Sequence, residues 1–94
     1  MPLTDIAERI GARLAVTRFE GTLKFDCGAE GVIVLADGAA TTQDRATDCT
    51  LHLSRDNLVK LLTGKMHPMT GMATGKLRLS GNPAVAMRLA KLLG

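Results

Sequence analysis

The chain has 94 residues and a net charge of +3, a length sufficient for one domain with a small core. It contains no Trp or Tyr, so it lacks the stacking side chains of single-stranded nucleic-acid binders, and we expect no nucleic-acid partner. We expect a soluble, cytoplasmic protein with reduced thiols. The sequence has only two cysteines, its N-terminus is polar, and it contains no apolar run as long as a membrane span.

The first part of the chain predicts one helix and four strands. Apolar residues recur at helical spacing over residues 2–16, where Thr4 is a plausible helix cap. Alternating or continuous apolar segments then predict strands over residues 22–27, 32–36, 39–43 and 48–53. The pair Asp37-Gly38 predicts a hairpin between the second and third strands. The second strand is apolar on both sides, so we expect both of its faces to be covered.

The remainder of the chain predicts three helices and a fifth strand. These elements are a helix over 55–63 capped by Ser54, a short helix over 68–75, a strand over 76–80, and a last helix with Asn82 as its cap and Pro83 in its first turn. The order of elements predicts an α+β domain over residues 1–94, with a five-stranded, mostly antiparallel sheet and helices packed on one face. We expect the last strand to join through a crossover.

The last helix is more apolar than packing on a sheet requires. Arg88 and Lys91 are its only charged residues, and its apolar residues include Val85, Met87, Leu89 and Leu92. Something other than the sheet should cover this surplus, either a ligand in an apolar hollow or a partner subunit that caps the helix.

The charge distribution points to the same end of the molecule. Residues 1–54 carry five basic and eight acidic side chains, whereas residues 55–94 carry seven basic and one acidic. An apolar surplus beside positive charge suits an anionic amphiphile or transient contact with an anionic membrane surface.

The sequence contains no convincing catalytic, nucleotide or metal site. Gly71, Gly75 and Lys76 depart from phosphate-loop spacing, and no hydroxyl residue follows the lysine. The two histidines and two cysteines lack metal-ligand spacing. Both cysteines fall on the apolar side of predicted strands, where a thiol is usually inert. For His67, which precedes Pro68 at a helix start, we expect a backbone role only. We therefore expect no cofactor, no metal and no enzymatic activity.

The second half of the chain contains a specific run of motifs: Asp48-Cys49-Thr50-Leu51, Leu58 to Lys65, Pro68, Met69, Gly75-Lys76-Leu77-Arg78-Leu79, Gly81-Asn82 and Ala86-Met87-Arg88-Leu89. In these residues the chain closely resembles the sterol carrier protein type 2 domain, a lipid-transfer module. The resemblance implies an apolar tunnel between sheet and helices that takes up sterols, fatty acids, fatty acyl-CoAs or phospholipids. This chain is short and lacks the aromatic residue often found in the second strand, so we expect an extended acyl chain as ligand.

These considerations predict a set of site residues. The apolar cavity is expected to be lined by Phe25, Ile33, Leu35, Leu51, Leu58, Leu62, Met69, Met72, Val85, Leu89 and Leu92. The candidates for contact with an anionic head group are Lys65, Lys76 and Arg78. We expect a monomer or weak homodimer, and the alternative function is a non-catalytic interaction domain that dimerises through the last helix.

Overall fold

The computed structural model describes residues 1–93, with side chains as far as Leu92, so that Gly94, the last residue of the predicted domain, lies outside the described residues. The elements in this part of the chain are α1 (Leu3–Leu14), β1 (Leu23–Asp26), a 3-10 turn (Gly28–Glu30), β2 (Val32–Ala36), β3 (Ala39–Thr41), β4 (Cys49–His52), α2 (Arg55–Leu62), α3 (Pro68–Ala73), β5 (Arg78–Gly81) and α4 (Pro83–Leu93).

The five strands form one mixed sheet in the order β3-β2-β1-β4-β5. The pairs β1·β2, β2·β3 and β4·β5 are antiparallel, whereas β1 and β4 are parallel. The predicted α+β fold with a mostly antiparallel sheet is therefore confirmed. The expected crossover before the last strand is wrong, because β5 is antiparallel to β4 and α2 and α3 connect these neighbours. The crossover instead lies between β3 and β4, since the parallel alignment of β4 with β1 requires the chain to travel back along the sheet.

One face of the sheet forms the core. Phe25 of β1 lies opposite Ile33 of β2 on one side and opposite Leu51 of β4 on the other. Leu23 of β1 lies opposite Leu35 of β2. These residues define the inner face of the sheet, and the buried side chains of α1, α2 and α4 join them in one apolar cluster. The alternating residues form the outer face.

On the outer face, a loop covers the middle of the sheet. Lys24 pairs with Val34 on this face, and the Lys24 Nζ atom lies 2.6 Å from the Asp44 Oδ1 atom of the loop between β3 and β4. Val34 is buried although it lies outside the apolar cluster. The expectation that the second strand is covered on both faces is therefore confirmed.

Two of the three predicted helix caps are present. The Ser54 Oγ atom accepts a hydrogen bond from the Asn57 amide (3.1 Å), and the Asn82 Oδ1 atom accepts one from the Ala84 amide (2.9 Å). The prediction of a cap at Thr4 is wrong. Helix α1 begins at Leu3 after an extended Pro2, whose carbonyl accepts hydrogen bonds from the following turn, so Thr4 lies inside the first turn.

The junction between β5 and α4 is held against the start of β4. Gly81 has a φ of +90°, and a Cβ atom there would lie 2.5 Å from the Asp48 carbonyl oxygen. The same carbonyl accepts a hydrogen bond from the Asn82 amide (2.8 Å). Asp48 and Thr22 exchange two further hydrogen bonds of 3.0 and 2.8 Å. This junction fixes the direction in which α4 leaves the sheet.

Candidate functional site

An apolar groove of about 320 Å³ lies between α3, α4 and the inner face of β4 and β5. It is lined by Leu51, His67, Pro68, Met69, Met72, Leu77, Leu79, Pro83, Ala86, Met87, Leu89 and Ala90. Of these side chains only that of His67 is polar. A concave, mostly apolar surface with few polar groups is the usual form of a small-molecule site, and its volume falls within the usual range of about 300–1,000 Å³.

Helix α4 forms one wall of the groove because only part of its apolar surface packs into the core. Val85, Leu89 and Leu92 are buried against the sheet and the neighbouring helices. Leu89 also borders the groove, and Ala86, Met87 and Ala90 line it without being buried in the core; Met87 is 76% exposed. The apolar surplus predicted for this helix therefore lies in the groove.

Helix α3 forms the opposite wall. Pro68 begins the helix, and Gly71 is buried at its centre. A Cβ atom at Gly71 would lie 3.2 Å from Met66 Cε and 3.3 Å from Leu77 Cβ, so the glycine permits α3 to pack closely. Met69 is 63% exposed, so with Met87 it leaves the groove open to solvent.

The side chain of His67 caps α3. Its Nδ1 atom accepts a hydrogen bond from the Met69 amide at 3.1 Å, and its backbone is extended. The sequence prediction gave this residue a backbone role only and missed both the cap and its place in the groove. Its position immediately before a helix-starting Pro68 is the sequence signal for an N-cap.

The structure places the predicted cavity residues in two groups. Leu51, Met69, Met72 and Leu89 line the groove, and of these Leu51 and Leu89 also belong to the apolar core. The remaining seven, each at most 9% exposed, lie in the apolar core: Phe25, Ile33, Leu35, Leu58, Leu62, Val85 and Leu92. The lining residues that the prediction missed are His67, Pro68, Leu77, Leu79, Pro83, Ala86, Met87 and Ala90. The alternation of apolar and polar residues around β5 and the apolar surplus of α4 are the sequence signals for several of these lining residues.

The three predicted head-group residues are exposed and lie outside the lining of the groove. Arg78 pairs with His52 across the β4–β5 ladder, while Leu51 pairs with Leu79. Since neighbouring residues of a strand point to opposite faces, Arg78 lies on the outer face, away from the groove. Lys65 and Lys76 follow the ends of α2 and α3, respectively.

The two cysteines are free and buried, as their place on the apolar side of the predicted strands indicates, although β1 ends one residue before Cys27. Burial raises the pKa of Cys27 to about 11, with smaller contributions from the negative charges of Glu30 and Asp26. Burial also raises the pKa of Cys49. Both thiols are therefore poor nucleophiles near neutral pH. Within residues 1–93, no cluster of three or more His, Cys, Asp or Glu side chains could hold a metal ion.

A polar network lies on the outer face of the sheet. The His52 Nε2 atom is 3.2 Å from the Ser80 Oγ atom, and the His52 Nδ1 atom is 3.6 Å from the Asp26 Oδ2 atom. This order of residues is that of a hydrolase triad. However, all three side chains are at least partly exposed on an open sheet face, and none of them lines the apolar groove.

The chain is similar in sequence to proteins of one known family. The model of the SCP-2 sterol transfer family matches residues 4–94. Over 53 residues, 56% of this chain and 10% of the relative, the sequence is 43% identical to sterol carrier protein 2 of Gallus gallus. Over 92 residues, 92% of this chain and 18% of the relative, it is 35% identical to hydroxysteroid dehydrogenase-like protein 2 of Mus musculus. The chain thus spans less than a fifth of these relatives.

Solved structures share the fold. The solution structure of sterol carrier protein 2 from Aedes aegypti in complex with palmitate aligns with a TM-score of 0.78 at 21% identity, covering 96% of this chain and 92% of that one. Within the part of the chain that is described, no helix has the length and apolar character to cross a membrane. The resemblance found in the sequence is confirmed by the family match, and the chain belongs to the SCP-2 sterol transfer family.

Proposed function

We propose that residues 1–94 form one lipid-transfer domain that binds an extended acyl chain in the groove between α3, α4 and the sheet. Membership of the SCP-2 sterol transfer family supports lipid binding and transfer as the domain's function. The observation that carries the proposal is the groove itself, where eleven apolar residues and one histidine surround about 320 Å³. The palmitate complex of the Aedes aegypti protein supports an acyl ligand.

The driving force is the removal of apolar ligand surface from water. Each methylene that leaves water contributes about 0.8 kcal/mol, before the cost of ordering the ligand is subtracted. The flexible side chains of Met69, Met72 and Met87 can adapt to chains of different length and unsaturation. This adaptability supports broad selectivity among acyl lipids. The small volume supports an extended chain rather than a rigid sterol.

Ligand exchange at a membrane is the second part of the proposal. Exposed Met69 and Met87 lie at the opening of the groove, and the C-terminal half of the chain carries a net positive charge. Apolar side chains that penetrate a lipid surface and lysines that attract anionic lipids together favour transient membrane contact. Lys65 and Lys76 are the candidates for this electrostatic contact. Transfer between anionic vesicles should therefore be faster than transfer between neutral vesicles, and this difference should decrease with added salt.

The proposed domain acts without chemistry of its own. The network of Asp26, His52 and Ser80 lies on the outer face of the sheet, away from the site proposed for the ligand. Hydrolysis of a p-nitrophenyl ester in the presence of the unaltered protein should therefore proceed at the rate measured without protein. A rate above that uncatalysed level that is lost on replacement of Ser80 by Ala would contradict the non-catalytic assignment. Buried, free cysteines support a reducing, cytoplasmic location.

The monomer is the proposed state of the protein. The alternative of a dimer joined through the last helix is not favoured, because the apolar surplus of α4 already lines the groove. Light scattering at micromolar concentration should give the mass of one chain, close to 9.9 kDa.

The direct test is titration of delipidated protein with a fluorescent fatty acid. Saturable binding at micromolar concentration, reversed by palmitate, is the expected result. Native mass spectrometry of freshly purified protein would identify any lipid that co-purifies. Absence of saturable binding, together with absence of a co-purified lipid, would overturn the proposal.

A further inference from the structure

The groove has one polar point in its lining. His67 lies at the start of α3, while every other lining residue is apolar. Sites for amphiphilic ligands orient their cargo through a few placed polar groups, because the apolar walls alone have no directional preference. The polar end of a bound chain should therefore be found where the groove meets the N-terminal end of α3.

The capping bond determines which proton the imidazole can offer. The Nδ1 atom accepts a hydrogen bond from the Met69 amide, so in the neutral ring the proton resides on Nε2. Within the described part of the chain, no side-chain or backbone group forms a hydrogen bond with this Nε2 atom. The ring is thus held in place on one side and presents an N–H donor on the other.

The lysines and the arginine chosen from the sequence do not occupy this position. Lys65, Lys76 and Arg78 are exposed and do not line the groove, and Arg78 lies on the other face of the sheet. Their charges act from a distance through solvent, where they change capture rates more than affinity. Among the residues that line the groove, His67 has the side chain that can make a directional polar contact.

We infer that His67 is the specificity-determining contact of the groove, and that its Nε2–H group selects acyl ligands whose polar end accepts a hydrogen bond, above all a carboxylate. This inference rests on the proposed lipid-binding function. An amphiphile whose head group can only donate, such as a long-chain alkylammonium, meets a donor at the same position and is disfavoured.

The test compares palmitate with hexadecylamine as competitors of a fluorescent fatty acid, at pH 7.5. The His67→Ser variant keeps a good helix cap but loses the ring donor, and His67→Asp keeps the cap while placing an acceptor there. His67→Ser should bind palmitate roughly three- to tenfold more weakly, the range expected for one lost hydrogen bond. Its affinity for hexadecylamine should change less than about twofold, because no favourable bond is removed. His67→Asp should reverse the order of the two ligands.

A spectroscopic measurement on the unaltered protein avoids any question of folding. Addition of palmitate should shift the ¹⁵N resonance of His67 Nε2, while Nδ1 keeps the signature of an acceptor. An unshifted Nε2 resonance at saturation, or an equal loss of affinity for both ligands in His67→Ser, would overturn the inference alone. If neither ligand displaces the fluorescent fatty acid from the unaltered protein, the proposed function itself fails.

Discussion

Filling the groove from α4 should prevent lipid binding without unfolding the protein. Ala90 is exposed to solvent and lines the groove. It does not belong to the apolar core, in which its neighbours on α4, Leu89 and Leu92, are buried. An Ala90→Trp substitution therefore introduces a large apolar ring into space that the core does not use. The ring should cover Met87 and the opposite wall at Met72.

The expected loss follows from the volume of the groove. With a liquid water occupying about 30 Å³, a groove of about 320 Å³ has room for roughly ten water-sized groups. If each is a methylene worth about 0.8 kcal/mol, the gross contribution is about 8 kcal/mol. A tryptophan that fills roughly half of the space removes about 4 kcal/mol, or about a thousandfold in Kd. Rearrangement of the methionines reduces this figure, so we expect a loss of at least about a hundredfold.

The assay is displacement of a fluorescent fatty acid, with thermal unfolding measured on the same samples. Ala84→Trp is the matched control, because Ala84 is an exposed residue of the same helix that does not line the groove. The control should bind within about threefold of the unaltered protein. A folded Ala90→Trp variant that binds as well as the control would refute the assignment of the groove.

Three further predictions concern the framework around the site. Gly81→Ala should destabilise the protein by about 3 kcal/mol, because Gly81 has a positive φ and an added Cβ atom would clash with the backbone. Gly75 has a φ of +75° but open space around it, so Gly75→Ala should destabilise the protein by only about 1 kcal/mol. Chemical denaturation measures both values, and equal losses of stability would contradict this account. At pH 8 only about one in a thousand Cys27 thiols is ionised, so iodoacetamide should modify it at least tenfold more slowly than in the unfolded chain. The hydrogen bond from Lys24 holds the pKa of Asp44 below its ordinary value. The Lys24–Asp44 contact therefore stabilises the fold at pH values above the ordinary carboxyl pKa, and this stabilisation is lost as the pH falls through the lowered pKa of Asp44. Lys24→Gln should raise the pKa of Asp44, as measured by a carboxyl ¹³C titration.

The strands and helices could be predicted because their signals are local. Alternation in β1 and β4, the hairpin pair Asp37-Gly38 and the caps at Ser54 and Asn82 each depend on residues within one element or turn. The strand order also depends on which end of the sheet the crossover reaches, and nothing in the loop between β3 and β4 specifies this. For that reason the sequence predicts the crossover at the wrong connection.

The presence of an apolar groove could be predicted from the sequence, but only some of the residues that line it could be. The apolar surplus of α4 indicated an uncovered surface, and Met69 and Met72 followed from the apolar residues of the short helix. Sequence spacing does not distinguish a residue that only fills the core, such as Phe25, from one that also lines the groove, such as Leu51. That distinction arises from the angle at which α3 and α4 pack on the sheet. The role of His67 required the hydrogen bond of its side chain.

The most direct measurement is titration of palmitate into protein labelled with ¹³C at the methionine methyl groups. Met69, Met72 and Met87 line the groove, whereas Met66 is buried beside it and Met1 lies at a separate small cavity near α2. We expect saturable shifts for the three groove methyls and much smaller changes at the other two. Unchanged groove methyls at saturating palmitate, or shifts confined to Met1, would contradict the conclusion that this groove holds the lipid.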